Sequence, residues 1–255
     1  MKVFVNSIPK SGTNYVSRIF TAAGFAYANR SIAASSVTGR YEFIKKFARA
    51  DRAPFVDVGL QTEAKLSEHW LKRVTTVPGN HYLTGHARYS ERLRTILQEN
   101  QLRIVLVYRR PEAVLHSWIM YQDAASLSNR HISNLLHDMN YEGRFYTILN
   151  GIEYKKRIYR DFKATYEAAR YWLSLPEVIP FEFKGERVCD ASIAAEDIRT
   201  LFESLQVTMS LDECKSLHYS VYGNSHTYRS ANDMEWREFW NADMKAKFYE
   251  SFVSE

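Results

Sequence analysis

The stretch Ile8-Pro9-Lys10-Ser11-Gly12-Thr13-Asn14-Tyr15 decides how this chain folds. It follows the apolar segment Val3-Phe4-Val5 and opens a helical pattern that begins at Thr13 and carries through Tyr15 to Phe20. A strand feeding a tight loop and then a helix aims several backbone N–H groups and the positive end of a helix dipole at one point, where phosphate-like anions bind. Lys10 adds a full positive charge there. A nucleoside triphosphatase loop reads G-x-x-x-x-G-K-[ST], with its lysine after the second glycine, whereas Lys10 precedes the only glycine of this loop, Gly12. The loop is therefore expected to bind a phosphate-like group without ordinary ATPase chemistry.

Working outward, apolar segments alternate with helical patterns. Strands are predicted at Lys2 to Asn6, near Tyr82 to Thr84 and at Arg103 to Tyr108, with helices over Ser90 to Glu99 and Glu112 to Tyr121. Such alternation predicts an α/β fold, a three-layer sandwich with a central parallel sheet flanked by helices. The nearly continuous run Leu102, Ile104, Val105, Leu106, Val107 reads as a strand covered on both faces and placed centrally. Farther on, Val178 to Phe183 reads as a strand, and Ile193 to Leu205, Leu211 to Tyr219 and Asp243 to Phe252 as helices. The segment 124–170, rich in Asn, His, Tyr, Lys and Arg, reads as mainly helical with loops, a lid or acceptor-site wall. Its basic cluster Lys155, Lys156, Arg157 and Arg160 reads as a solvated helix face.

With 255 residues and 45% hydrophobic content, the chain can bury one substantial core, and a single domain over 1–255 is expected. The net charge of +5 favours an anionic ligand without implying a nucleic-acid partner. Cys189 and Cys214 lie in neither a C-x-x-C pair nor a His/Cys cluster, so neither a zinc site nor a disulfide framework is expected. No stretch approaches the roughly 18 apolar residues of a membrane span, and the expected setting is the cytoplasm.

A second anion site stands at Val107-Tyr108-Arg109-Arg110-Pro111-Glu112-Ala113-Val114-Leu115-His116-Ser117. Two arginines end a strand at the sheet edge where ligands bind in open α/β folds. Pro111 suits the first turn of the next helix, which puts Ser117 two turns along it. The arginine pair can hold a second phosphate through bidentate hydrogen bonds.

With both motifs in order, the chain resembles the sulfotransferases that use 3′-phosphoadenosine 5′-phosphosulfate (PAPS), which have a P-loop-like fold. Their 5′-phosphosulfate loop reads P-K-S-G-T-T-W, matched here by Pro9-Lys10-Ser11-Gly12-Thr13-Asn14-Tyr15. Their 3′-phosphate motif carries R-x-P and a serine eight residues after the arginine, a spacing that Arg109, Pro111 and Ser117 keep. Their third element, R-K-G followed by G-D-W-K, is matched in part by Arg229-Ser230-Ala231 and Glu235-Trp236-Arg237. Asn14 stands for the family's second threonine, and Tyr15 for the tryptophan that stacks on adenine. A tyrosine ring can stack there too.

The resemblance implies transfer of a sulfuryl group from PAPS to a hydroxyl or amine of a small-molecule or carbohydrate acceptor, leaving adenosine 3′,5′-bisphosphate. Lys10, Ser11, Gly12, Thr13, Asn14, Tyr15, Arg109, Ser117 and Arg229 are then the cofactor-binding residues. Lys10 stabilises charge on the leaving oxygen, and the scheme calls for no metal. The proton of the acceptor needs a base. His86, in Tyr82-Leu83-Thr84-Gly85-His86-Ala87-Arg88, matches the family's catalytic T-H-L-P-like segment in position. Thr84 stands where many relatives have lysine, and Arg88 is the expected substitute charge. Some carbohydrate sulfotransferases use a glutamate as base, which makes Glu63 or Glu68 the fallback. Two other readings stand beside this one. A P-loop kinase-like phosphotransferase would need an acidic residue for Mg²⁺, and only Asp57 resembles one. A catalytically silent nucleotide-binding relative would have no need of both Lys10 and His86.

Overall fold

The computed structural model describes residues 1–33, 54–122, 132–223 and 232–253. Strand β1 (Lys2–Ser7) is the middle strand of a parallel sheet whose order is β2 (Ala26–Ile32), β5 (His81–Gly85), β1, β6 (Leu102–Tyr108) and β9 (Val178–Glu182). Lys2 to Ser7 lie in register with Leu102 to Val107 on one side, and Lys2 to Asn6 with His81 to Gly85 on the other. All five strands run the same way, so their carboxyl ends meet at one edge of the sheet. The apolar run of β6 is internal to the sheet, one place from its middle, as a doubly covered strand should be.

Alternation of side chains along the strands builds the layers. Val3 and Val5 of β1, with Val105 and Val107 of β6, pack under helices Thr13–Ala22, Ala191–Ser204 and Leu211–Val221 through Val16, Ile19, Phe20, Ile198, Phe202 and Leu217. Phe4, Leu83, Ile104 and Leu106 face the other way, against Leu71 and Val74 of helix Glu68–Thr75 and Leu93, Ile96 and Leu97 of helix Glu91–Glu99. Each fully buried Val, Leu or Phe contributes about 1.5–3 kcal/mol by leaving water. A third apolar cluster gathers helices Pro111–Tyr121, Tyr141–Asn150, Phe162–Arg170 and Ala242–Val253 around Leu115, Phe145, Phe162 and Phe248, and reaches the lysine loop through Ile8. Helix starts are capped as their sequences dictate: Ser90 accepts from the Leu93 amide, Asp161 from Ala164, and Ser210 forms a reciprocal capping box with Glu213.

Residues 124–131 lie outside the described residues. The remainder of the expected helical segment is interrupted by a hairpin, β7 (Ile152–Tyr154) and β8 (Arg157–Tyr159), turned by Lys155 and Lys156 at φ 49 and 61. The basic cluster is therefore a hairpin tip and not a helix face. Arg160 leaves it and donates to the carbonyls of Gly59 and Leu60 at 2.7 and 2.9 Å. A second hairpin, β3 (Phe55–Asp57) with β4 (Lys65–Ser67), precedes helix Glu68–Thr75. Among the described residues, no helix is long and apolar enough to cross a membrane.

Candidate active site

The lysine loop prolongs β1. Ile8 N–H donates to the Val107 carbonyl at 3.1 Å, and Ser11 N–H closes the turn on Ile8 at 3.2 Å. Lys10 and Gly12 both take positive φ, 70 and 89, which reverses the chain into helix Thr13–Ala22. A side chain at Gly12 has no room: its Cβ would sit 2.3 Å from Phe183 Cδ2. Gly12, at the helix start, has no side chain to cap the first turn, and none of the helix residues is acidic, which suits an anion at its amino end. Lys10 Nζ stands 3.5 Å from the centre of the Tyr121 ring, one turn after Ser117 on helix Pro111–Tyr121.

His86 follows β5, the next strand. Buried Asn6 fixes the chain there, donating to the Ala87 carbonyl and accepting from the Ala87 amide, both at 2.9 Å. The His86 Nδ1–H donates to the Ser7 carbonyl at 3.0 Å, with Ser7 Oγ also 3.0 Å from Nδ1. A carbonyl can only accept, so Nδ1 carries the proton and Nε2 keeps its lone pair. Burial pushes the imidazole below its ordinary pKa, the Lys10 charge pushes the same way, and the Ser7 carbonyl opposes both. His86 is thus held neutral, with Nε2 as its basic atom.

Arg109 follows β6. Its carbonyl accepts from the Tyr166 hydroxyl at 2.8 Å, and its guanidinium, almost fully buried, pairs with Asp233. Arg110 does not join it. Successive residues at a strand end point to opposite sides, and Arg110 Nε donates to Glu112 at 3.3 Å instead. The expected arginine pair is therefore a single arginine.

These strand ends surround one cleft of about 560 Å³, within the size range of ligand sites. Lys10, Gly12, Thr13, Asn14, Tyr15, His86, Arg109 and Ser117 all line it. Ser11 lies beneath the loop, fully buried, and does not line the cleft. Arg229, Ser230 and Ala231 lie outside the described residues.

Three further expectations change. Arg88 supplies no charge to the cleft: its Nη1 donates to Asp57 Oδ2 at 3.0 Å. Glu63 pairs with Lys65, Glu68 is held at about pKa 2, chiefly by Arg92 and then by Lys72, and neither lines the cleft. Asp57, on which a Mg²⁺ reading depends, accepts from the Gly59 and Ala64 amides at 3.0 and 2.9 Å and pairs with Arg88 and Arg160. Burial raises its pKa, but these four partners outweigh it and keep the carboxyl below its ordinary value. It is committed to the structure outside the cleft.

Sequence reasoning missed several lining residues. Phe183 follows β9 and lies edge-on to Tyr15, with ring centres 5.9 Å apart, and under Gly12. Its signal was available, since it directly follows the next strand along the sheet. His116 is buried in the wall, its Nδ1 2.6 Å from the Tyr141 hydroxyl and its Nε2 3.6 Å from Glu235. Tyr15 itself is held by a 3.0 Å hydrogen bond between its hydroxyl and His218 Nδ1.

A family model described as a sulfotransferase domain matches residues 1–170. No curated protein sequence matches the chain. Among solved structures, the chain is similar to mouse sulfotransferase SULT7A1 complexed with PAP, with a TM-score of 0.63 and 13% identity over 99% of this chain and 83% of that one. It is also similar to retinol dehydratase in a complex with retinol and PAP, with a TM-score of 0.58 and 14% identity over 98% of this chain and 80% of that one. At such identities the likeness establishes the fold, the P-loop-like fold of sulfotransferases.

Proposed function

The chain belongs to the sulfotransferase family, and from that premise we propose that it moves a sulfuryl group from PAPS to a hydroxyl or amine of a small-molecule or carbohydrate acceptor. The observation that carries the reading is that Lys10, His86 and Arg109, each at the carboxyl end of one of three adjacent parallel strands, line a single cleft. The residues fit such a donor. Its two anionic ends need two separated cationic sites, and an uncapped helix start beside Lys10 and a buried arginine beside Ser117 supply them.

When bound, PAPS supplies the sulfuryl group and departs as adenosine 3′,5′-bisphosphate (PAP). Lys10 and the first-turn amides of Thr13, Asn14 and Tyr15 hold the 5′ end, Arg109 and Ser117 hold the 3′-phosphate, joined by Arg229 on the resemblance, and Tyr15 offers its ring to adenine. Lys10 counters the charge that gathers on the leaving oxygen, an interaction stronger in the transition state than before it. His86 Nε2 takes the acceptor proton while Nδ1–H stays anchored on Ser7, a role worth roughly 10²- to 10⁴-fold in rate. The described part of segment 124–170, residues 132–170, is assigned to the acceptor wall, with support from Ile132 and Ser133, which line the cleft. The proposal includes one domain over the whole chain and a cytoplasmic setting, where the free thiols Cys189 and Cys214 would persist.

The test is sulfuryl transfer from labelled PAPS to a panel of hydroxyl and amine acceptors, alongside binding of PAP, 5′-AMP and ATP with Mg²⁺. His86→Ala should lower turnover roughly 10²- to 10⁴-fold and leave PAP affinity intact, and Arg109→Ala should lose the preference for PAP over 5′-AMP. Tighter binding of ATP with Mg²⁺ than of PAP, or a His86→Ala with turnover within about tenfold of wild type, overturns the proposal.

A further inference from the structure

We infer that Asp233 is a positioning residue for the 3′-phosphate site, aiming the Arg109 guanidinium at the cleft and tying it to the backbone of Gly185, just past β9. The inference rests on the cofactor reading above. Asp233 is buried, and both of its oxygens are used: Oδ1 accepts from Arg109 Nε at 2.6 Å and is paired with Nη2, while Oδ2 accepts the Gly185 N–H at 2.9 Å. Two of the three guanidinium nitrogens are thereby fixed, and Nη1 keeps its two N–H donors outside the pair.

The Arg109 Cζ lies 5.3 Å from the centre of the Phe183 ring, which limits rotation of the fork about its own axis. An arginine held in this way loses less conformational freedom when it meets a phosphate than a mobile one does. The neighbour of Asp233, Asn232, lines the cleft, so the segment that carries the carboxylate is itself part of the wall. A negative charge beside a phosphate site has a second possible effect: it weakens anion binding by repulsion. The two effects predict opposite outcomes on removal of the charge.

The experiment measures dissociation constants of PAP and 5′-AMP for wild type, Asp233→Asn, Arg109→Ala and the double variant. Asp233→Asn has one acceptor oxygen where Asp233 uses two, so with that oxygen kept on Arg109 it gives up the charge and the Gly185 bond together. Positioning predicts that the ratio of 5′-AMP to PAP constants falls roughly tenfold in Asp233→Asn, the scale of one charge-assisted hydrogen bond, with 5′-AMP binding unchanged. It predicts no further fall when Asp233→Asn is added to Arg109→Ala. A merely structural carboxylate would lower the melting temperature and weaken both nucleotides together, leaving the ratio as it was, and this result overturns the inference. A ratio that rises, with or without Arg109, identifies Asp233 as a repulsive charge and overturns it equally. Should Asp233→Asn unfold below the working temperature, Asp233→Glu, which shifts the carboxylate by one methylene, must show the same fall. A wild type with no preference for PAP defeats the cofactor reading itself, and is thereby told apart from failure of the Asp233 inference.

Discussion

Replacing Gly12 by alanine puts the geometry of the lysine loop to a direct test. Two costs add. At φ 89 an L residue sits in the left-handed region, worth about 1–2 kcal/mol. The new Cβ would lie 2.3, 2.6 and 2.9 Å from three ring atoms of Phe183, so the ring or the loop must move, at a typical overpacking cost of about 1–3 kcal/mol. The ring has little freedom, since Tyr15 stands edge-on to it and Arg109 lies over it. Alanine restricts the unfolded chain and returns about 0.4–1 kcal/mol. The net loss is therefore about 1–5 kcal/mol, or roughly 2–18 °C in Tm for a chain of this size. Denaturant melts of wild type, Gly12→Ala, Phe183→Leu and the double variant separate the two costs. In the Phe183→Leu background the alanine should cost at least about 1 kcal/mol less, because a smaller side chain stands under the loop. An equal cost in both backgrounds would refute the clash, and a total loss below about 0.5 kcal/mol would refute the loop conformation itself.

His86→Asn should lower kcat roughly 10²- to 10⁴-fold with PAP affinity within about twofold, as measured by turnover and calorimetry. In the folded protein His86 has its pKa below the ordinary 6.5, so the unfolded chain binds more protons in the window just under that value. Stability contributed by the neutral ring is complete above pH 6.5 and is lost as pH falls through the folded pKa; His86→Asn should flatten that limb in melts taken against pH. Arg88→Ala should leave kcat within about twofold and reduce stability by about 1 kcal/mol, since Asp57 keeps Arg160 and two amides. A large fall in kcat would return Arg88 to the chemistry.

What was legible in the sequence was whatever local pattern controls. β1 and β6 announce themselves as apolar runs because helices cover both faces, and Lys10 and Arg109 stood out because each follows such a run, whereas His86 was singled out by its segment's resemblance to the family's T-H-L-P-like one. β2 gave no signal: Ala26–Ile32 is an edge strand, mostly exposed, with Asn29 at φ 52 where its register against β5 shifts. The hairpin at Lys155 and Lys156 was hidden for a related reason, since its strands are three residues long and its turn uses lysines in a left-handed conformation instead of Asn-Gly. Asp233 could not be seen at all. It reaches Arg109 from 124 residues away, and no spacing rule connects them.

The charges that suit this cleft to an anion also set the state of its base. No Asp or Glu side chain is among its described lining residues; Asp233 is taken up by Arg109 and Asp57 by Arg88 and Arg160. The Lys10 charge helps to hold His86 neutral in the free protein. An anion that settles on Lys10 offsets that charge, so binding should raise the His86 pKa and make Nε2 a stronger base at the moment a donor is in place. Linkage then requires that binding take up protons near the His86 pKa and that PAP affinity increase as pH falls through that window. Calorimetry of PAP binding in buffers of different ionisation enthalpy counts those protons, and ring-proton NMR titration of His86 with and without PAP assigns them. Proton uptake that disappears in His86→Asn is the expected result. A His86 pKa that stays fixed or falls on binding would show that burial alone governs the ring, and that Lys10 acts on the donor without tuning the base.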